Sequence, residues 1–94
     1  MTSLHQDIRP VLARGVRLRN DPITGEPVLL FPEGVLPLDE TTCAIVSRCN
    51  GDCTVEAIIV ALAEEYEVEP DTVRQDVSEC LGQLRQRMLV ALVK

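Results

Sequence analysis

The residues with the greatest chemical reach in this chain are four cysteines, one histidine and a run of carboxylates. Cys49 and Cys53 are separated by Asn50-Gly51-Asp52. A thiolate pair so spaced could ligate zinc or an iron–sulfur centre, or cycle between dithiol and disulfide. A metal centre needs a second Cys or Cys/His pair at matching spacing. Cys43 and Cys80 are the remaining thiols. Both fall on the apolar stripes of helical segments, where a free cysteine behaves as a small buried hydrophobe. His5 is the sole imidazole, in a polar terminal stretch with no carboxylate or hydroxyl partner on a rigid element. Glu64 and Glu65, beside Glu67 and Glu69, could in principle serve as an acid/base pair, but at the end of an amphipathic helix they read as a solvated acidic face. Gly15, Gly25, Gly34, Gly51 and Gly82 are too scattered for a phosphate-cradling loop. The expectation is a protein without catalytic, metal-binding or cofactor-binding residues.

The segments that would carry any site are a short meander followed by helices. Val16-Arg17-Leu18-Arg19 alternates apolar and cationic residues with the period of a strand. Asn20 to Gly25 is dense in turn formers, and Val28-Leu29-Leu30-Phe31 is a continuous apolar run. Pro32-Glu33-Gly34 turns the chain again into a short third strand at Val35-Leu36. Pro37, lacking an N–H, suits an edge. Asp39 can cap a helix from Glu40 to about Cys49, with Leu38 before it as a hydrophobic staple. Gly51 suits its termination. Thr54 can cap a second helix from Val55 to about Tyr66, with Ile58, Ile59, Leu62 and Tyr66 on one face. Pro70 introduces a third helix, from about Asp71 to Arg87, on which Val73, Val77, Cys80, Leu81, Leu84 and Met88 recur at helical spacing. Leu89 to Val93 is apolar and reads equally as a last strand or as the end of the helix.

Composition limits the partners. The 94 residues suffice for one domain, and 46% are apolar. Only Phe31 and Tyr66 are aromatic, so no platform exists for stacking bases or sugars. The net charge of −6 opposes simple attraction to nucleic acid or an anionic bilayer. Arg9, Arg14, Arg17 and Arg19 face only Asp7 in the first 20 residues, whereas Asp52 to Glu79 holds nine acids against Arg74. No apolar run reaches the ~18 residues of a membrane span, and Met1 to Pro10 lacks an apolar signal core. The cytoplasm is the expected compartment, with reduced thiols. Together these features describe an α+β fold, winged helix-turn-helix-like: a three-stranded antiparallel sheet followed by a three-helix bundle. Residues 11–94 form the domain and residues 1–10 a flexible arm.

A winged helix often binds DNA, but a recognition helix carrying Asp71, Asp76 and Glu79 against Arg74 is poorly suited to phosphates. The surface better suited to a partner is the free edge of the third strand, Glu33-Gly34-Val35-Leu36-Pro37, which an extended peptide could join through backbone hydrogen bonds. The third helix would wall the groove, with Val77 and Leu81 lining it and Arg74, Ser78 and Arg85 on its rim. Val77 and Leu81 could equally fill the core. On the groove reading, aspartate at Leu36 or at Leu81 weakens binding and leaves the fold intact.

The order and spacing of several runs resemble the PqqD family over roughly residues 9 to 90. They are Gly15-Val16-Arg17-Leu18-Arg19, Val28-Leu29-Leu30-Phe31-Pro32-Glu33-Gly34, Leu38-Asp39, Cys49-Asn50-Gly51 with Thr54-Val55, and Asp76-Val77 with Leu81 and Leu84. The resemblance implies a module of pyrroloquinoline quinone biosynthesis that needs no cofactor. It implies two partners: the ribosomal precursor peptide PqqA and the radical S-adenosylmethionine enzyme PqqE. The peptide would join as a strand between the segments here at Glu33 to Pro37 and Asp71 to Arg87. The apolar tail and short edges are compatible with a monomer or a weak homodimer.

Overall fold

The three helices begin at their capping residues. In the computed structural model, which describes residues 8–93, α1 spans Glu40–Val46, α2 Val55–Tyr66 and α3 Pro70–Gln86. The Asp39 carboxylate accepts the Thr42 N–H at 2.7 Å, and the Thr54 hydroxyl accepts the Ala57 N–H at 3.0 Å. Each supplies an acceptor to a first-turn donor that has none within the helix. Pro70 occupies the first turn of α3, where its missing N–H costs no helical bond. α1 stops at Val46 rather than near Cys49, because Arg48 N–H and Cys49 N–H bond back only three residues, to Ile45 and Val46. That tightening turns the chain into Asn50-Gly51.

Five short strands complete the α+β fold: β1 (Arg9–Leu12), β2 (Arg17–Asn20), β3 (Pro27–Phe31), β4 (Gly34–Pro37) and β5 (Val90–Val93). The expected meander is present as an antiparallel sheet in the order β2-β3-β4. A second, two-stranded sheet pairs β1 with β5, from Arg9 opposite Val93 to Leu12 opposite Val90. This resolves the apolar tail as a strand and corrects the boundary of the expected arm. Arg9 and Pro10 belong to β1, Pro10 is fully buried, and Ile8 C=O accepts the Val55 N–H at 2.8 Å. The rest of that arm, residues 1–7 with His5, lies outside the described residues.

One core joins both sheets to the helices. Leu29 from β3, Ile45 and Val46 from α1, Ile58, Ile59 and Leu62 from α2, and Val73, Val77, Leu81 and Leu84 from α3 are all buried in it. Arg74 and Glu56 tie α3 to α2 on the surface through two bonds of 2.7 and 2.9 Å. A pair this exposed is screened by solvent and adds little to stability.

The Asp39 cap has a pH signature. Thr42, through its backbone N–H and then its hydroxyl, holds the Asp39 carboxyl below the usual 3.8. A folded-state pKa below the unfolded one gives stability that is complete above the ordinary carboxylate range and lost as pH falls through the folded value. Asp39→Ala is therefore expected to cost about 1 kcal/mol near neutrality. In thermal melts the gap to the parent protein should close as the pH is taken below 3.8.

Candidate functional site

The hydrogen-bond parity of the β3–β4 hairpin decides which groups of β4 are open. The register pairs Phe31 with Gly34, Leu30 with Val35, Leu29 with Leu36 and Val28 with Pro37. Just beyond it, Leu38 N–H donates to Pro27 C=O at 3.0 Å. In an antiparallel ladder bonded and non-bonded pairs alternate. Leu36 and Gly34 therefore direct their polar groups at β3, whereas Val35 and Pro37 direct theirs away. β4 is last in the sheet order, so its open edge presents the N–H and C=O of Val35 and the C=O of Pro37. Pro37 stands where no ladder donor is required, which is why proline fits there. Side chains alternate in turn: Leu36 lies on the core face with Leu29, and Val35, 55% exposed, lies outside with Leu30.

A cleft of about 670 Å³ runs beside this edge. Leu36 and Pro37 of β4 form one wall, and Asp39, Thr41 and Thr42 at the start of α1 close an end. The opposite wall is α3, through Asp76, Glu79, Cys80 and Gln83, continued by Arg87 at the helix end. These residues follow helical spacing, so they form one continuous stripe. The stripe lies one position away from the buried Val73, Val77, Leu81 and Leu84. α3 thus borders the cleft through this face, and not through the face that holds Val77 and Leu81.

That rotation corrects the α3 part of the expected site. Val77 and Leu81 are 0% and 1% exposed and fill the core. Arg74 is turned to Glu56 of α2. Arg74, Ser78 and Arg85 do not line the cleft. From the strand, Leu36 and Pro37 line it, Val35 contributes edge backbone, Gly34 faces β3, and Glu33 lines a neighbouring cleft at the hairpin tip. Asp39, Thr41, Thr42, Asp76, Glu79, Cys80 and Gln83 were missed from sequence. The connection from β4 to α1 is only Leu38-Asp39, and this signal already required the first turn of α1 to sit at the end of the edge strand.

Asp39, Asp76 and Glu79 make one end of the cleft acidic, and Arg87 makes the other cationic. Burial raises the Cys80 pKa, the Thr42 hydroxyl lowers it, and the Asp39 carboxylate raises it again. Burial, reinforced by Cys80 and Cys53, pushes the Cys49 thiol up to about 12, and its Sγ donates to Ile45 C=O at 3.4 Å. Both therefore remain protonated, non-nucleophilic thiols near neutral pH. Among the described residues no three His, Cys, Asp or Glu side chains are grouped to hold a metal, and no helix is long and apolar enough to cross a membrane.

Comparison with known proteins agrees with this architecture. The model of the family Coenzyme PQQ synthesis protein D (PqqD) matches residues 26–90. The PqqA binding protein of Xanthomonas oryzae pv. oryzae is 35% identical over 92 residues, covering 98% of this chain and 100% of its own. The PqqA binding protein of Rhodopseudomonas palustris is 39% identical over 85 residues, covering 90% and 83%. Among solved structures, the solution structure of the PqqD truncation of Methylobacterium extorquens PqqCD represents a functional, stand-alone recognition element for ribosomally synthesized and post-translationally modified peptides. It aligns with a TM-score of 0.78 at 33% identity over 96% of both chains. The crystal structure of PqqD from Xanthomonas campestris aligns with a TM-score of 0.58 at 32% identity, over 93% of this chain and 97% of that one.

Proposed function

The chain belongs to the PqqD family, and from that premise we propose that it is a non-catalytic module that binds the precursor peptide PqqA and presents it to the radical S-adenosylmethionine enzyme PqqE during pyrroloquinoline quinone biosynthesis. The observation that carries this reading is the open β4 edge facing α3 across the cleft. A peptide entering in extended form gives an acceptor to Val35 N–H and donors to the C=O groups of Val35 and Pro37, so its backbone leaves water without losing hydrogen bonds. Leu36 and the aliphatic parts of the α3 stripe receive its alternate side chains. Catalysis remains with the enzyme, and this chain fixes one stretch of peptide. Residues 11–94, extended by Ile8 to Pro10 through β1, act as one recognition domain. It works in the cytoplasm, as a monomer or weak homodimer.

Calorimetric titration with a PqqA-type peptide tests the reading. Saturable one-to-one binding is expected. A folded protein that binds no such peptide, alone or with PqqE present, overturns it. Two substitutions locate the groove. Leu36→Asp places a carboxylate on the cleft wall and is expected to weaken binding at least about tenfold while the circular dichroism spectrum is kept. Arg74→Ala is expected to leave affinity unchanged and to shift the melting temperature only slightly, because Arg74 faces α2 and its ion pair is screened by solvent.

A further inference from the structure

A second cleft, of about 630 Å³, opens where α3 ends against the tip of the β3–β4 hairpin. Val16 and Leu89, both buried, form its floor, and Phe31, Pro32 and Met88 its apolar walls. Arg14, Arg87 and Glu33 supply its charge. Arg87 also lines the first cleft, so the two clefts meet at this side chain. From the first cleft to the second the lining charge changes sign, from Asp39, Asp76 and Glu79 to Arg87 and Arg14. Among the described residues neither Arg14 nor Arg87 is in an ion pair.

Met88 is the unusual member. Its φ is +63°, a left-handed conformation that favours glycine, and its side chain is 81% exposed. Met88 N–H bonds to Arg85 C=O and Leu89 N–H to Leu84 C=O, each at 2.9 Å, the paired bonds of a helix terminator whose left-handed residue is usually glycine. Glycine there would relieve strain and bury nothing less. What methionine adds is a flexible, polarizable side chain on the wall of an open apolar cleft, a surface that adapts to incoming side chains. Glu67 ends α2 in the same conformation, φ +55°, with the same pair of bonds, from Glu67 N–H to Glu64 C=O and Val68 N–H to Ala63 C=O. It lines neither cleft and so provides an internal control for the strain alone.

We propose that the second cleft is the continuation of the peptide track, and that it takes a segment in which a carboxylate lies beside a large apolar side chain. The acid docks between Arg14 and Arg87 and the apolar side chain packs on Met88, Phe31 and Pro32. Glu33 on the same rim repels a second acid on its side and so helps set the register. β4 begins at Gly34, directly after Glu33, and a strand advances about 3.3 Å per residue. The occupant of the second cleft therefore lies within a few residues of the stretch paired with β4, on the same peptide. The proposal rests on the reading of the first cleft as a peptide groove.

The test uses the full chain, a PqqA-type peptide, and the same peptide with its carboxylate side chains converted to amides. Met88→Gly is expected to raise Tm by roughly 2–8 °C through relief of strain and to weaken peptide binding by about fivefold or more. Glu67→Gly should raise Tm similarly and leave affinity unchanged. Amidation of the peptide should weaken binding to the parent protein by about three- to tenfold and have little effect on Arg14→Ser, a coupling that a double-mutant cycle isolates. If Val35→Pro weakens binding while Met88→Gly and the Arg14 cycle show no effect, the groove stands and the second cleft is no part of it. If the parent protein binds no peptide, both readings fall. Loss of PqqE binding or of self-association in Met88→Gly, with peptide affinity kept, assigns the cleft to another partner and overturns the proposal.

Discussion

Val35→Pro is expected to leave the protein folded and to weaken peptide binding by roughly ten- to a hundredfold. The fold survives because the Val35 N–H points away from β3, so proline there removes no bond of the ladder. The preceding residue is Gly34, which tolerates the restriction that proline imposes on its neighbour. The Val35 side chain is 55% exposed, so little packing is lost. Binding suffers because the edge loses its N–H donor. The peptide carbonyl opposite would be desolvated without a partner, at about 1–3 kcal/mol, and the proline ring would hold that strand off the edge. Leu36→Pro reverses the pattern. It removes a donor aimed at Leu29 C=O and breaks the hairpin whether or not peptide is present. Titration together with circular dichroism separates the two. Full affinity in Val35→Pro would mean that the peptide does not add to β4.

What was legible in the sequence followed from signals that are local. Asp39, Thr54 and Pro70 marked helix starts, and α2 runs from Val55 to Tyr66 as its capping and its Ile58-Ile59-Leu62 face require. The meander was equally readable, because its strands are separated by dense turn formers. β1 was not. Arg9–Leu12 has no period, contains a proline, and finds its partner at Val90–Val93, at the other end of the chain; only the tertiary fold brings these strands together. The site was half legible for a related reason. Pro37 and the short third strand marked an edge, and in the structure β4 is the edge of its sheet with α3 across the adjoining cleft. The face of that helix was not readable, because periodicity fixes the spacing of a stripe and not which neighbour it meets. Cys80, with an apolar side chain and a place next to Leu81, was read with the core stripe. It is half-buried and belongs to the cleft stripe of Asp76, Gln83 and Arg87.

The phase of α3 is therefore the point on which the groove depends, and Leu81→Asp tests it. If Leu81 lined an open groove, aspartate there would cost affinity and spare the fold. Leu81 is 1% exposed and packed in the core with Val77 and Leu84. Truncating a buried leucine costs about 2–5 kcal/mol, and a carboxylate with no partner in that space adds several kcal/mol more or takes up a proton to avoid it. A domain of this size has about 5–15 kcal/mol in total. Leu81→Asp is accordingly expected to be largely unfolded at 25 °C by circular dichroism, and Leu81→Ala to be folded with a Tm lowered by roughly 10 °C or more. Gln83→Ala, two residues on and facing the cleft, should fall within about 0.5 kcal/mol of the parent. The contrast with Leu36→Asp is then diagnostic: both lose peptide, but only the strand variant does so while folded. If Leu81→Asp melts like the parent, α3 is turned about its axis from the orientation described. Asp76, Cys80 and Gln83 would turn with it, and the helix wall of the groove would have to be reassigned.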